Sequence, residues 1–363
     1  MFQRLSSLWK VSGNLLDSGG LCLIFARRCE ILALRNQTFY PVWTIMIKYY
    51  KKSDDAIVEI ERPEKDCWIN VYPPFDHKRL AALSDAIDIP IDFLLDSIDI
   101  NERSRFESDD NVKLIVINTP VENDIENSID NDALYITIPI GIILTKDHNI
   151  IISSAQNRVI DWFFSIAIKH IHPQDKDMIV LKIFEKNVFY FIQYLNEMNK
   201  KRYLIEKELL HSSRNNELSK LLNIQKSLVY FVTDLRANEL LMVKISRTNF
   251  LGIKTNEEKS DYLQDIIIDS SQALEMANVY TNILNGTMDA FGSIISNNLN
   301  MVMKRLTSVT IILMVPTLIA SFFGMNLQPL PIEKESNSFW LVILISLAAA
   351  SLLYMVFRKI RWF

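Results

Sequence analysis

Two stretches near the C-terminus, 306–323 (LTSVTIILMVPTLIASFF) and 339–357 (FWLVILISLAAASLLYMVF), contain no charged residue. At about 1.5 Å of rise per residue, each spans roughly 27–29 Å as a helix, close to the hydrocarbon thickness of a bilayer. Two such runs in succession with basic flanks are hard to house in a soluble core. Lys304 and Arg305 precede the first, and Arg358, Lys359 and Arg361 follow the second. The loop between them, 324–338, carries one lysine and two glutamates. The positive-inside rule therefore places both termini in the cytoplasm and the loop outside. Trp340 and Trp362 fall near the ends of the second span, where interfacial aromatics belong. The expectation is a hairpin embedded in the lipid bilayer of the cell membrane, carrying a large cytoplasmic body.

That body reads as an ordinary, slightly acidic soluble protein. The chain has 363 residues and a formal net charge of −4, which argues against nucleic acid as a partner, since phosphate binding needs a basic surface. Charged residues make up 23% and hydrophobic ones 49%, too apolar for a disordered chain. Three cysteines, Cys22, Cys29 and Cys67, form no C-x-x-C pair, so neither a disulfide scaffold nor a thiolate zinc cluster is expected. The pair His170 and His172 has no third ligand at zinc spacing and reads as a surface feature. No Gly-rich phosphate loop and no nucleophile–base constellation stands out, so neither an enzyme nor an organic cofactor is expected.

Residues 1–45 carry several basic residues, few acids and no clean apolar core of a cleaved signal. Met46 opens a segment that reads like a natural start, so 1–45 is expected to be an extension outside the fold. Over 46–156, short β-rich runs at 56–60, 67–72, 112–117, 134–138, 140–145 and 150–153 alternate with helical stretches at 75–87 and 92–98. Pro73-Pro74 and 146–149 supply turn chemistry, and the whole predicts an α+β domain. In 157–254 strand signals vanish, and 177–207 and 215–246 read as long helices. Val188, Phe191, Leu195 and Met198 mark the apolar stripe of the first. A third helix starts near Asn256 and shows Leu274, Ala277, Leu284, Met288, Phe291, Ile295 and Leu299 at three-, four- and seven-residue steps. No proline interrupts it before Pro316, so 255–323 reads as one stalk-and-span helix roughly 90–100 Å long. A lone helix with such a stripe needs partners, and a homo-oligomer about a central axis is expected. The outer loop 324–338, the second span 339–357 and a basic tail 358–363 complete the chain.

Along the first span and the turns before it, Asn300, Met303, Thr307, Thr310, Met314, Thr317 and Ser321 recur at steps of three or four. Polar groups inside a bilayer face a bundle interior or a water-filled path. The plainer alternative is that the Thr and Ser hydroxyls bond back to their own helix. Leu306, one step off the stripe, suits a hydrophobic constriction that gates by dewetting.

At the outer end of that span stands Gly324-Met325-Asn326, preceded by Phe323 and followed by a short loop, a last span and a basic tail. In this position the tripeptide resembles the signature of the CorA family of divalent-cation channels. The similarity extends back through 296–307 (SNNLNMVMKRLT) and forward to 358–363 (RKIRWF), and more loosely over the whole chain from Met46 in domain order. The resemblance implies a homopentameric funnel: an α/β cytoplasmic domain, long stalk helices, and a pore lined by five copies of the first span. It implies Mg2+ influx driven by membrane potential, with Co2+ and Ni2+ as surrogates. Asn326 is then the selectivity residue, with Gly324 and Met325 shaping its loop. A ring of neutral carboxamides accepts hydrogen bonds from the waters of an ion that gives them up reluctantly.

Gln328 stands where many members carry an acid, which leaves Glu333 and Glu335 to capture cations at the mouth. Pro316 falls one position later than the family's usual proline. Zinc transporters of the same superfamily often have isoleucine in the middle of the motif, so Met325 leans toward magnesium. A membrane-anchored sensor or scaffold is the alternative from another class.

Asp85, Asp88, Asp92, Asp96 and Asp99 fall at helical steps broken by Pro90, an arrangement that suits a solvated face. The segment from Leu94 to Ile98, with Arg103 to Glu107 after it, also resembles the family helix carrying one carboxylate of an inter-subunit Mg2+ sensor. That gives Asp96 the sensor role, with Asp265 as partner on the stalk and Asp269 and Asp261 assisting. Mg2+ would then be both transported and regulatory: bound between subunits it closes the ring, and its loss lets the carboxylates repel and the pore open. Sequencing the N-terminus of the native protein is expected to read from Met46; a start well upstream would place 1–45 in the mature chain.

Overall fold

The computed structural model describes residues 46–53, 56–123, 133–209, 215–325 and 337–360. The strands β1 (Met46–Ser53), β2 (Ala56–Ile60), β3 (Cys67–Tyr72), β4 (Arg105–Asp109), β5 (Val112–Glu122), β6 (Tyr135–Leu144) and β7 (His148–Ser153) form one sheet in the order β2-β1-β3-β7-β6-β5-β4. From β4 to β7 the pairing is antiparallel, while β3 joins β7 in parallel. Among the described residues the α-helices are α1 (His77–Ile87), α2 (Ile91–Asp96), α3 (Arg158–Ser165), α4 (Lys176–Leu209), α5 (Asn215–Thr248), α6 (Glu257–Phe323) and α7 (Ser338–Lys359). The mixed α/β domain, the long helices and the C-terminal apolar helix agree with the expected fold class.

The sheet buries both faces because its strands are apolar at successive positions. Trp68, Ile115, Ile117, Ile140, Ile142 and Ile151 form one core with α3, α4, α5 and the first turns of α6. The alternate residues Ile69, Leu114, Val116, Ile143, Ile150 and Ile152 are equally buried and point the other way. On that second face Ser97, at the end of α2, sits over Gly141 of β6. Local chemistry sets the helix ends. Asn157 and Asn256 cap α3 and α6, each side chain accepting a backbone N–H of the first turn. Asp88 takes a left-handed conformation (φ 52°) and Pro90 opens α2, which splits the aspartate run between two helices.

Two strands lie outside the sequence expectation. β1 (MIKYYKKS) scatters its lysines over both faces, and β4 (RFESD) alternates charged residues with a single apolar one, Phe106, so neither shows an apolar alternation to read. The runs at 134–138 and 140–145 are a single strand, β6, that continues through Pro139. Pro139 lies opposite Asn118 of β5, and β4 reaches no further along β5 than Val116. The backbone of Asn118 therefore finds its partners on helices. Its N–H donates to Asn238 Oδ1 at 3.1 Å, and its carbonyl accepts from Asn187 Nδ2 at 2.9 Å and Asn238 Nδ2 at 2.8 Å. Asp234, one turn from Asn238, accepts from Asn118 Nδ2 at 2.8 Å and from the Thr137 hydroxyl. Burial raises the Asp234 carboxyl above its usual range, and these two donors only partly offset it.

α6 has 67 residues and runs unbroken through Pro316, about 100 Å at 1.5 Å per residue. Leu263, Ile266, Ala273, Ala277, Leu284 and Phe291 bury its first half against the neighbouring helices. Its start is pinned by Lys259, whose ammonium binds Asp175 at 2.6 Å and Asp177 at 2.8 Å. Past Phe291 the next buried residue of α6 is Ser308.

A Cβ on Gly141 would stand 1.9 Å from Ser97 Oγ and 2.3 Å from Ser97 Cβ. Replacing Gly141 with alanine is therefore expected to destabilise the α+β domain by about 1–3 kcal/mol through overpacking, read as a lower unfolding midpoint. An unchanged midpoint would show that α2 is free to shift away from the sheet.

Candidate functional site

The candidate conduit is built on the second half of α6. Ile311, Ile312, Val315, Ile319 and Phe323 are half-buried and Ser308 is fully buried, all on one side of the helix. This side packs on α7. On α7 the matching stripe runs through Val342, Ser346, Ala349, Ala350, Leu353 and Phe357. Ser308 and Ser346 are the two polar residues inside this contact. Each satisfies its hydroxyl on its own helix, by donating to Lys304 O and Val342 O at 2.8 Å. Small residues at these points let the two helices approach closely. Only 6% of each helix's most apolar window is buried within the chain, so these are not core helices of a soluble body.

The predicted stripe lies elsewhere on α6. Asn300, Met303, Thr307, Thr310, Met314, Thr317 and Ser321 are all exposed. Counted at 100° per residue, their centre lies about 140° around the helix from the side that meets α7. Leu306, 61% exposed, is on the same far side. The hydroxyls of Thr310 and Thr317 donate to Leu306 O at 2.9 Å and Leu313 O at 3.0 Å. The back-bonding alternative thus holds for these two residues, yet each hydroxyl oxygen keeps lone pairs for water. The Leu313 bond falls beside the gap that Pro316 leaves in the backbone ladder.

Gly324 caps α6 in an ordinary right-handed conformation (φ −84°), its N–H donating to Ala320 O at 2.9 Å. A Cβ there would meet Ala320 O at 3.4 Å, a tolerable contact. Among the described residues nothing requires glycine at this cap, unlike a left-handed helix end. Met325 is 43% exposed. Asn326, Gln328, Pro329, Pro331, Glu333 and Glu335 lie outside the described residues.

The two halves of the predicted ion sensor stand on different elements. Asp96 ends α2, and its Oδ2 binds Arg105 Nη2 at 2.6 Å. Burial raises the Asp96 carboxyl above its usual range, with Arg105 opposing and Glu102 and Asp92 adding to the shift. Asp261, Asp265 and Asp269 are exposed at four-residue steps along one side of α6. Among the described residues no three metal-ligating side chains gather, so the chain by itself does not join Asp96 to Asp265. His170 closes a short 3-10 turn (Ala167–His170), and it and His172 stand apart from any such group.

Arg105 was not singled out in the sequence. Its carboxylate partners become visible only once β4 is known to be a strand, which puts Arg105 and Glu107 on one face. The Asn118–Asp234–Asn238 cluster left no sequence signal at all, because Asn118 lies 116 and 120 residues from Asp234 and Asn238.

A soluble-type domain hung on a helix that continues into an apolar span, with polar side chains turned away from the second span, is the layout of a membrane transport protein. The chain belongs to the family of CorA-like Mg2+ transporter proteins, whose family model matches residues 64–359. That family consists of transporters rather than enzymes. The chain is 29% identical over 307 residues to the cobalt/magnesium transport protein CorA of Methanocaldococcus jannaschii, covering 81% of this chain and 90% of that one. The complete structure of the CorA magnesium transporter from the same organism superposes with a TM-score of 0.75 at 25% identity, covering 89% of this chain and all of that one. The cytoplasmic domain of ZntB from Vibrio parahaemolyticus shares the fold, with a TM-score of 0.54 at 12% identity over 70% of this chain and the whole of that domain.

Single cysteines placed on a cysteine-free background will report which side of α6 is wet. Positions 307, 310, 314 and 317 are expected to react with a charged thiol reagent in membranes, and positions 312, 315 and 319 to resist it. The reverse pattern would put the polar stripe in lipid.

Proposed function

We propose that the chain is a passive channel for Mg2+, with Co2+ and Ni2+ as surrogates, assembled as a homopentamer around five copies of α6. The observation that carries this reading is the polar and thioether stripe on the side of α6 opposite α7. With α7 on the outside, the same rotation of each copy turns Asn300, Thr307, Thr310, Met314 and Thr317 toward a shared axis. An inert hairpin tether has no use for such a stripe, which weighs against a mere membrane-anchored sensor or scaffold. Both termini then lie in the cytoplasm, by the distribution of basic residues about the spans. A divalent ion moving inward gains about 4.6 kcal/mol per 100 mV of inside-negative potential, so no nucleotide is needed.

Gly324 suits the motif's role in this reading, since a residue without a side chain leaves room around the mouth. Asn326 is the selectivity residue of this reading, Met325 shapes the same loop, and Glu333 and Glu335 draw cations toward it. Leu306, on the stripe side and nearer the basic end of the span, is the hydrophobic gate. Asp96 of one copy and Asp265 of the next, with Asp269 near, hold a regulatory Mg2+ that keeps the ring closed. Zn2+ is the second reading, favoured by the ZntB fold likeness; Met325 and the similarity to the M. jannaschii transporter favour Mg2+.

Ion flux into liposomes reconstituted with the full chain tests both parts. Mg2+ and Co2+ uptake is expected in the parent and loss of it in Asn326→Ala, while the pair Asp96→Asn with Asp265→Asn abolishes inhibition by Mg2+ on the domain side. Zn2+ uptake without Mg2+ uptake would overturn the ion assignment, and inhibition surviving the double change would remove the sensor.

A further inference from the structure

The carboxylate at the end of α2 already has a cation. Arg105 gives each of its three guanidinium nitrogens to a different acid: Nη2 to Asp96 at 2.6 Å, Nε to Glu102 at 2.7 Å, and Nη1 to Glu107. Three carboxylates share one positive charge, so the group remains net negative. The group is open to its surroundings, with Asp96 37% and Arg105 32% exposed. At such exposure each ion pair stabilises by less than about 1 kcal/mol. A hard cation that takes only oxygen ligands is therefore able to replace the guanidinium on Asp96.

The backbone on either side of Arg105 is held from behind. Ser104 donates to Asn238 Oδ1 at 2.6 Å, Asn118 Nδ2 donates to the Glu102 carbonyl at 3.4 Å, and Arg105 itself pairs with Val116 in the sheet. The guanidinium thus stays at its post with or without an ion nearby, and Glu102 and Glu107 can keep it when Asp96 is taken.

We propose that Arg105 is a resident competitor for the sensor carboxylate: it occupies Asp96 when divalent ion is scarce and sets the concentration at which the ion displaces it. This rests on the reading of Asp96 as a regulatory ligand given above. A purely structural role has the opposite sign, because an arginine that merely holds Asp96 in place would help the ion to bind.

The test uses the full chain in liposomes and reads the domain-side Mg2+ concentration that halves uptake, for the parent, R105Q, R105K and D96N. R105Q is expected to lower that concentration about two- to fivefold by removing the competitor. R105K keeps the charge but lacks the planar fork that serves three acids at once, so it lowers the value by less. An unchanged or raised value in R105Q overturns the proposal; if R105Q fails to assemble, the direction of the R105K shift decides in the same way. D96N separates the two layers. Inhibition identical to the parent in D96N would sink the sensor, and the competition with it. Loss of inhibition in D96N, with the arginine variants at the parent value, would leave the sensor standing and dismiss the competitor alone.

Discussion

A bilayer offers no hydrogen-bond partners, so any chain that enters it must close its own backbone ladder. α6 meets that constraint by never ending between Glu257 and Phe323. Its first half is core to the α+β domain, where Leu263, Ile266 and Ala273 are sealed among α4, α5 and the sheet. Its second half has one packed neighbour in the chain, α7. One rigid rod therefore belongs to two environments, and whatever tilts the domain end of it also moves the span. The placement of the polar stripe and of the acidic residues Asp261, Asp265 and Asp269 acquires meaning only because both lie on this single element.

Much of this was legible in the sequence, and the exceptions have physical reasons. Uncharged runs and their basic flanks identify the spans because a bilayer tolerates so few alternatives. Helical periodicity identifies α4, α5 and α6 because each buries one stripe, and the residues named for that purpose, Phe191, Leu195, Ala277 and Leu284, are buried. β1 and β4 escaped notice because the lysines of β1 fall on both faces and β4 has Phe106 as its one apolar residue, so no apolar alternation shows. β6 read as two strands because Pro139 interrupts the pattern, yet its register with β5 runs on through Pro139 opposite Asn118.

The candidate site divides in the same way. The polar stripe proposed to line a conduit follows from residue spacing on one helix, which sequence shows directly. The proposed sensor does not, since its halves sit on α2 and α6 and a single chain leaves them apart. Arg105 could not be found by spacing along a helix, because its three acids converge through a turn and a strand. The buried group of Asn118, Asp234 and Asn238 joins that turn to α5, so the chemistry around Asp96 is mechanically continuous with the long helices beside α6. Burial holds the Asp234 carboxyl up against two donors, the mark of a polar joint kept for position rather than for charge.

Lys259 fastens the first turn of α6 to Asp175 and Asp177, while the half beyond Phe291 has little holding it until α7. The stretch from Phe291 to Phe323, about 48 Å at 1.5 Å per residue, therefore leaves the domain as a cantilever, and a swing of about 6° where it emerges would carry its tip by about 5 Å, roughly half the spacing between packed helix axes.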